Sequence, residues 1–586
     1  MRLSVALRKI PRCSRDRGTF LKLLELLSEL SLGFMLILSW GLILSTLGVT
    51  CPALDGSLVT KAILIPLTSE GLILWLVVLG ALLFKLRKIY VLALVIVAPF
   101  VFAGFPEALV LASLLLALLW AREKGITQVL RALLASAVVV ELGSFLYALG
   151  RIGGVDLPLL PIFPPLFLSL YSWLVPLAPP IVFTLCLAPL FSIKRISKKP
   201  LSVPKAFSYL RPRLGLLAGL ALSLLYWYAI YYSSLNPSGK LVGVDPVTRY
   251  YPHILKILKN PNPIKGALSV GYDRPAYYLF LLFLAELLNP ILAVKVLPLT
   301  CMLLYTFAVY LWAREFIGKR SAGVASLLSM ASYTTTTGLF GGLYSNWTSL
   351  SIAILASIAF KRLFERSRLW LLAFLVLVGL SIALHVYMGV VTVATFALTV
   401  LLLLPLRKYR KTSSILLVLG LLSGVAGFLA LRRFPGIMRI IVSNTRMWFR
   451  NISRLTLSGT LFSPKWWSVF SFAVYNYAVT SSLDLIGWIL AIIGILAVEK
   501  RSIRGLLLLS WLIVVSVLAL FAPFNLIYRS MYDYPLVLLE TLGLMFLLSR
   551  VEDRIGGKTS ALTLMAILGF KLAFTLNYVV GLVLTA

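Results

Sequence analysis

Long apolar runs recur along this chain and constrain its fold more than any other feature. From Leu30 to the C-terminus, runs of roughly 17–25 apolar residues alternate with short basic or Pro- and Gly-containing breaks. Hydrocarbon cannot hydrogen-bond a free backbone, so a run that crosses a bilayer must close its own hydrogen bonds as a helix. The mean hydropathy is +0.98 and only 13% of residues are charged, which excludes an ordinary soluble enzyme. The pattern predicts an all-α polytopic membrane protein with about 12–14 transmembrane helices.

Basic breaks divide the chain and orient it. Residues 194–213 are rich in Lys, Arg and Pro, and we interpret them as a cytoplasmic linker. This linker separates an N-terminal membrane unit of about six helices (1–193), whose role the sequence does not reveal, from a second membrane unit (214–586). The first unit's earlier helices are predicted near 30–50, 71–86, 89–104 and 108–121. Because the N-terminal tail is also basic, the positive-inside rule predicts a multi-pass protein of the cell membrane with a cytoplasmic N-terminus.

The formal charge of +35 does not indicate nucleic-acid binding. Lys and Arg accumulate in the cytoplasmic loops of membrane proteins, and no soluble basic region stands out to hold a nucleic acid. The four cysteines, Cys13, Cys51, Cys186 and Cys301, have no metal-ligand or CxxC spacing. The sequence therefore predicts neither a nucleic-acid partner nor a cysteine-based metal site.

The most polar long loop, 233–274, carries the acidic residues that suggest chemistry. Asp245 lies in VGVDPVTRYYPHI and Asp273 in GYDRPAYY, both predicted on the extracytoplasmic side. Each aspartate has a plain alternative role, as a helix cap or as the ion-pair partner of Arg249 or Arg274. Acidic residues are otherwise expected at helix ends rather than in mid-helix, which is unlike a secondary transporter.

The sequence allows two interpretations for each of two regions. Residues 321–360 contain the polar stretch YTTTTGLFGGLYSN and read either as one interrupted crossing or as a two-helix hairpin. Residues 432–484 form a second extracytoplasmic segment, in which helical spacing puts Arg439, Arg446 and Arg450 on one face and apolar residues on the other. That helix is either an ordinary surface anchor or a cationic surface for a lipid-linked phosphate.

Six short segments stand out in roughly residues 210–586. They are GVDPVTRYY (243–251), DRPAYYLFLL (273–282), WAREFIGKRSAGVASLL (312–328), LYSNWTSL (343–350), SIALHVYMG (381–389) and YRSMYDYP (528–535). In their order and spacing, these segments resemble the GT-C superfamily of membrane glycosyltransferases, whose first large external loop carries an early aspartate. The resemblance implies transfer of a sugar from a polyprenyl-phosphate carrier to an unidentified glycan, lipid or protein acceptor on the extracytoplasmic face.

The resemblance also implies roles for single residues. Asp245 would be the catalytic base, since a hydroxyl or amide attacks poorly until a carboxylate accepts its proton. Arg529 and His385 would contact the carrier phosphate, and Asp273 with Arg274 would shape the acceptor side. The remaining site-lining candidates are Tyr250, Asn346, Tyr387 and Asp533.

The chain departs from the family in its metal motif. Asp245 is followed by Pro246, so there is neither an adjacent acidic pair nor a DxD motif, and a divalent metal cofactor has no support from sequence. Two other functions remain as alternatives, a membrane transporter or lipid flippase and a non-catalytic scaffold with a GT-C-like fold.

Overall fold

A computed structural model describes most of the second half of the chain and parts of the first. The described residues are 125–155, 177–191, 203–431 without 272, 462–474, 484–499, 502–521 and 524–585, with single positions at 30, 33 and 121 and some between 442 and 455. Every regular element among them is helical, which confirms the expected all-α class. Seven of these helices are long and apolar enough to cross a membrane, as a multi-pass protein requires.

The total of 12–14 crossings stays a prediction, because the four earliest predicted helices lie outside the described residues except at positions 30, 33 and 121. The α-helices that are described are α1 (Ile126–Gly153), α2 (Ala178–Phe191), α3 (Pro212–Tyr231), α4 (Tyr251–Leu258), α5 (Pro263–Val270), α6 (Pro275–Leu287), α7 (Pro290–Phe316), α8 (Lys319–Met330), α9 (Tyr333–Gly341), α10 (Tyr344–Glu365), α11 (Trp370–Leu384), α12 (Val386–Leu403), α13 (Arg410–Leu431), α14 (Pro464–Val474), α15 (Leu485–Ala497), α16 (Ile503–Phe521), α17 (Phe524–Tyr532), α18 (Leu536–Ile555) and α19 (Gly557–Thr585). A 3₁₀ turn spans Lys205–Tyr209 and a π turn spans Pro246–Tyr250.

The chain divides into two compact units, residues 1–147 with 158–173 and residues 148–157 with 174–586. Helices α2 to α19 belong to the second unit. The predicted division at residue 193 falls later in the chain than this structural one, and as a functional boundary it stays a prediction.

Local sequence explains where several of these helices begin. Proline is the first residue of α3, α5, α6 and α7, where its missing N–H costs nothing and its fixed φ suits the first turn. Two of these helices also have an asparagine cap. Asn262 accepts from the backbone N–H of Lys265 (2.9 Å), and Asn289 accepts from that of Leu292 (2.8 Å).

The helices of the second unit have two chemically different ends. Helix α3 ends close to where α7 begins, because Trp227 Nε1 donates to the carbonyl oxygen of Lys295 (2.8 Å). We call this the loop end, since residues 232–274 leave from it. At the opposite end, which we call the basic end, Glu315 of α7 pairs with Lys361 (3.4 Å) and Arg362 (2.8 Å) of α10. Helices α7 and α10 therefore run in the same direction, away from the loop end.

The region 321–360 forms a hairpin, so the structure decides between the two alternatives. Helices α8 and α9 lead from the basic end back to the loop end, where the backbone at Leu339 lies against Gly243. Helix α10 then starts beside the loop, with Tyr344 stacked on Tyr250 at 5.7 Å between ring centroids. The first arm is interrupted because Ser332 caps a new helix by accepting from the N–H of Thr335 (3.3 Å).

Candidate functional site

The position of Asp245 is set by contact between the loop and the turn that joins α9 to α10. Gly342 in that turn has φ +65°, a left-handed conformation that favours glycine. A Cβ at this position would lie 2.1 Å from Cδ of Pro246. The Asp245–Pro246 segment therefore packs directly against the backbone of Gly342. Arg249 and Tyr250 lie at the end of the π turn that begins at Pro246.

The Asp245 carboxyl is buried among arginines. Asp245 is 7% exposed and pairs with Nε of Arg249 at 3.4 Å, while the Arg249 side chain is 43% exposed. Burial raises the pKa of Asp245 above its usual range, and the charges of Arg249, Arg274 and Arg529 offset part of that rise. A carboxylate with a raised pKa accepts a proton more readily than an exposed aspartate does.

Asp273 and Arg274 form a tight ion pair behind Asp245. Nε and Nη2 of Arg274 donate to the Asp273 carboxylate, with the shortest contact at 2.7 Å, and Nη1 donates to Oγ of Ser345 (3.0 Å). Burial raises the pKa of Asp273, but the hydrogen bonds and charge of Arg274 outweigh it and leave the pKa below its usual value. The Tyr250 hydroxyl also contacts Ser345 Oγ (3.4 Å), so this pair is fixed to both the π turn and α10.

His385 lies in the break between α11 and α12, close to Asp273. The backbone N–H of Val386 donates to the carbonyl oxygen of Asp273 (3.0 Å), which ties this break to the loop. His385 is 5% exposed, and its Nδ1 accepts from the N–H of Met388 (3.3 Å). Burial and the charge of Arg274 hold its pKa well below the usual value, so the ring is neutral with its proton on Nε2. His385 therefore offers a neutral N–H donor at this site rather than a positive charge.

Three more of the predicted residues, Asn346, Tyr387 and Asp533, meet near the turn between α17 and α18. Asn346 Nδ2 donates to Oδ1 of Asp533 (2.9 Å), and the Tyr387 hydroxyl bonds to Oγ of Ser530 (2.9 Å). Asp533 is fully buried, and burial raises its pKa to about 8, with Arg529 opposing the rise. Burial therefore favours the neutral form of Asp533, which suits a residue that holds its neighbours in place better than a ligand for an anionic substrate.

The structure thus brings the nine predicted catalytic and substrate-binding residues to one place at the loop end, which we call the loop-end cluster. Its members are Asp245, Tyr250, Asp273, Arg274, Asn346, His385, Tyr387, Arg529 and Asp533. Of the predicted lipid-phosphate surface, Arg446 and Arg450 are helical and exposed, whereas Arg439 lies outside the described residues. That surface stays a prediction.

Sequence reasoning missed three contributors to this site. The sequence analysis names Arg249 only as a possible ion-pair partner. Its spacing of four residues from Asp245 is nevertheless the spacing that pairs side chains on a helix. Ser345 had no distinguishing signal. His253, whose Nδ1 lies 2.6 Å from the hydroxyl of Tyr278, also borders the site, and burial together with Arg274 lowers its pKa.

Among the described residues, no group of three or more His, Cys, Asp or Glu side chains is arranged to hold a metal ion. Comparison of the chain with protein-family models, curated proteins and solved structures gave no match. The GT-C resemblance therefore rests on the residues alone.

Proposed function

We propose that this protein is a membrane glycosyltransferase that moves a sugar from a polyprenyl-phosphate carrier to an acceptor on the extracytoplasmic face. One observation carries the proposal. A buried carboxylate with a raised pKa, Asp245, lies under the electrostatic influence of Arg249, Arg274 and Arg529 at the loop end. General-base catalysis of transfer from a lipid phosphate needs these two functions side by side, a proton acceptor and positive charge for the leaving phosphate.

The reaction would proceed by single displacement. An acceptor hydroxyl or amide attacks the anomeric carbon while the bond from that carbon to the phosphate oxygen breaks. The phosphate keeps the bonding electron pair, and the acceptor proton passes to the Asp245 carboxylate. The sugar configuration inverts because attack and departure occur on opposite faces.

Different residues would serve the acceptor and the phosphate. Arg274 already directs three N–H groups to protein acceptors, so it positions Asp273 rather than binding substrate. Arg249 has one ion-pair contact and 43% exposure, and with Arg529 it would neutralise the charge that develops on the phosphate. The Nε2–H of His385 would add a neutral hydrogen bond.

The alternative of a proton-coupled transporter or flippase draws support from another observation. Asp484, Glu540 and Lys571 are almost completely buried among helices α15, α18 and α19. This corrects the expectation that acidic residues avoid the interior of the helices, because Glu540 of α18 pairs with Lys571, which lies midway along α19. Ionisable side chains inside apolar helices are typical of transport proteins.

Sugar transfer in membranes that contain wild type or Asp245→Asn separates these functions. We expect wild type to transfer sugar from at least one polyprenyl-phosphate donor and Asp245→Asn to lose at least 100-fold, in line with loss of a general base. Asp553→Asn, which changes an exposed carboxylate near the end of α18, is the matched control and should retain activity. Equal activity of Asp245→Asn and wild type would exclude Asp245 as the base, and no transfer by wild type with any donor would favour transport.

A further inference from the structure

A second cluster of ionisable side chains lies inside the helices, separate from the loop-end cluster. Lys571 Nζ in α19 contacts the carboxylate of Asp484 and also Oε2 of Glu540 (3.0 Å). Lys571 and Glu540 are 0% exposed, and Asp484 is 2% exposed. We call these three residues the buried triad. Asp484 caps the N-terminus of α15, and Glu540 lies one turn into α18, so the triad joins three helices.

The surrounding helices are packed closely around the triad. At Gly487 of α15, a Cβ would lie 2.4 Å from Oε1 of Glu540, 2.7 Å from Oδ2 of Asp484 and 2.8 Å from Nζ of Lys571. Only a residue without a side chain allows the three charged groups to meet at this point. Oε1 of Glu540 is a buried atom with no hydrogen-bond partner among the described residues.

Charge balance requires a proton in this triad. Two carboxylates and one ammonium would leave a net charge of −1, and an uncompensated charge in such surroundings costs several kcal/mol. One bound proton makes the triad neutral. Protonation also removes the charge from the carboxyl group that contains the unpartnered Oε1, and an unpaired neutral group costs less to bury than an unpaired charged one.

The contacts identify which carboxyl is ionised. Asp484 contacts Lys571, accepts the N–H of Gly487 at Oδ1 (3.0 Å) and lies at a helix N-terminus, where the helix dipole favours negative charge. Among the described residues, Glu540 has Lys571 as its single hydrogen-bond partner, at 3.0 Å. Asp484 is therefore the better-stabilised anion.

Few other titratable groups face the triad from the helices packed on it. Tyr305 of α7 is close enough for its phenol to be influenced by Glu540. Helix α15 contains no titratable side chain, and α8 contains none beyond Lys319 and Arg320 in its first turn. Cys186 of α2 is directed to the hydroxyl of Tyr534 at 3.0 Å. No further charged partner for Glu540 is found among the residues that the structure describes.

We propose that the buried triad is a proton-binding site inside the membrane, in which Asp484 is the counter-ion of Lys571 and Glu540 carries the proton on Oε1. This proposal does not depend on the glycosyltransferase function. A site of this kind ties the packing of α15, α18 and α19 to protonation.

Infrared spectroscopy of the protein in lipid vesicles at pH 7 tests for the proton. Protonated carboxyl groups absorb separately from carboxylates, and their absorption shifts on exchange into D₂O. We expect Glu540→Gln to lose the absorption of one protonated carboxyl. In wild type, we expect that same absorption to shift when glutamate is labelled with ¹³C at its side-chain carboxyl, and not when aspartate is. Glu286→Gln, at an exposed position in α6, is the matched control and should lose none. Identical protonated-carboxyl absorption in wild type and Glu540→Gln would overturn the proposal.

Lys571→Met supplies a test that does not require Glu540→Gln to fold. Without Lys571, the Asp484 anion is left unpaired and must also take up a proton. We therefore expect Lys571→Met to gain the absorption of one protonated carboxyl relative to wild type. An unchanged or smaller absorption would contradict the charge assignment.

Thermal unfolding tests which carboxyl holds the proton. Glu540→Gln replaces a neutral acid with a neutral amide, so its midpoint should fall by less than half of the decrease in Asp484→Asn, which removes the counter-ion. The opposite order of the two decreases would place the proton on Asp484 and overturn the assignment.

Discussion

At the scale of single residues, Arg249 and Arg274 have different contacts although both lie near Asp245. The guanidinium of Arg274 is held by the Asp273 carboxylate and by Ser345, and its residue is 5% exposed. Arg249 is partly exposed and has one ion pair, with Asp245. An incoming phosphate would therefore meet Arg249 before Arg274, and of the three arginine charges near Asp245 that of Arg249 lowers the pKa of its carboxyl most.

This arrangement predicts a shift in the pH profile of sugar transfer. Asp245 must be deprotonated to act as a base, so activity is lost as the pH falls through the pKa of its carboxyl in the folded protein. The positive charge of Arg249 lowers that pKa. We expect Arg249→Gln to raise it and move the acid limb of kcat/KM to higher pH, whereas Arg249→Lys keeps the wild-type profile more closely. Arg368→Gln, which changes an exposed residue between α10 and α11, is the control and should keep the wild-type profile. An acid limb of kcat/KM that stays in place or moves to lower pH in Arg249→Gln would contradict the effect of Arg249 on the pKa of Asp245.

Sequence patterns identified residues of the loop-end cluster because they lie in recognisable short segments, such as GVDPVTRYY and YRSMYDYP. They did not identify the buried triad, whose members are separated by 56 residues or by 31 residues along the chain (540 − 484 and 571 − 540). No local spacing connects Asp484, Glu540 and Lys571. Only the packing of α15 against α18 and α19 brings them together.

At the scale of elements, proline and apolar run length predicted helix positions well. Apolar run length predicts one helix near residues 275–289 and another near 485–498, and the structure has these helices at Pro275–Leu287 and Leu485–Ala497. The break inside 321–360 was harder to place, because its signals are the small residues Ser332 and Gly342 within an otherwise helical stretch. Ser332 begins α9, and Gly342 ends it in a left-handed conformation.

Gly342→Ala should therefore disturb the site through the backbone. The added Cβ would collide with Pro246 and would also disfavour the left-handed φ, which costs roughly 1 kcal/mol for a non-glycine residue. We expect a lower thermal midpoint and a displaced Asp245 segment, detected as faster proteolysis between α3 and α6. Gly379→Ala, inside α11 where a Cβ meets nothing within 4 Å, should leave both unchanged or slightly raise the midpoint. Equal behaviour of the two variants would show that the Gly342–Pro246 contact does not position the loop.

At the scale of the whole molecule, the sequence predicted a multi-pass all-α protein because apolar run length and charge asymmetry are properties of the whole chain. The glycosyltransferase interpretation places the loop end on the extracytoplasmic side. The basic end collects Arg211, Lys319, Lys361, Arg362 and Arg366, as the positive-inside rule expects of a cytoplasmic face.

Cysteine labelling tests this orientation. Ser238 lies in the loop that follows α3, and Ser367 follows α10 at the basic end; both are exposed. In intact cells we expect a membrane-impermeant maleimide to label Ser238→Cys, and to label Ser367→Cys only after permeabilisation. Wild type gives the background labelling of the four native cysteines, of which Cys186 and Cys301 are buried, and each result is read as the difference from that background. Labelling of Ser367→Cys in intact cells, without labelling of Ser238→Cys, would reverse the assigned orientation and move the loop-end cluster to the cytoplasm.

The ion pairs of Glu315 have a mechanical consequence for the loop end. Lys361, Arg362 and Arg366 hold the last residues of α10 against α7 at the basic end. A small rotation of α10 about these ion pairs would therefore move its first residues the most. Helix α10 has 22 residues and extends ~33 Å at 1.5 Å per residue, so a tilt of ~5° would carry its first residue about 3 Å. Tyr344, Ser345 and Asn346 all lie at that distant end. Because Ser345 bonds to Arg274 and Asn346 bonds to Asp533, such a tilt would displace both partners, so the ion pairs at the basic end help to keep the loop-end cluster in register.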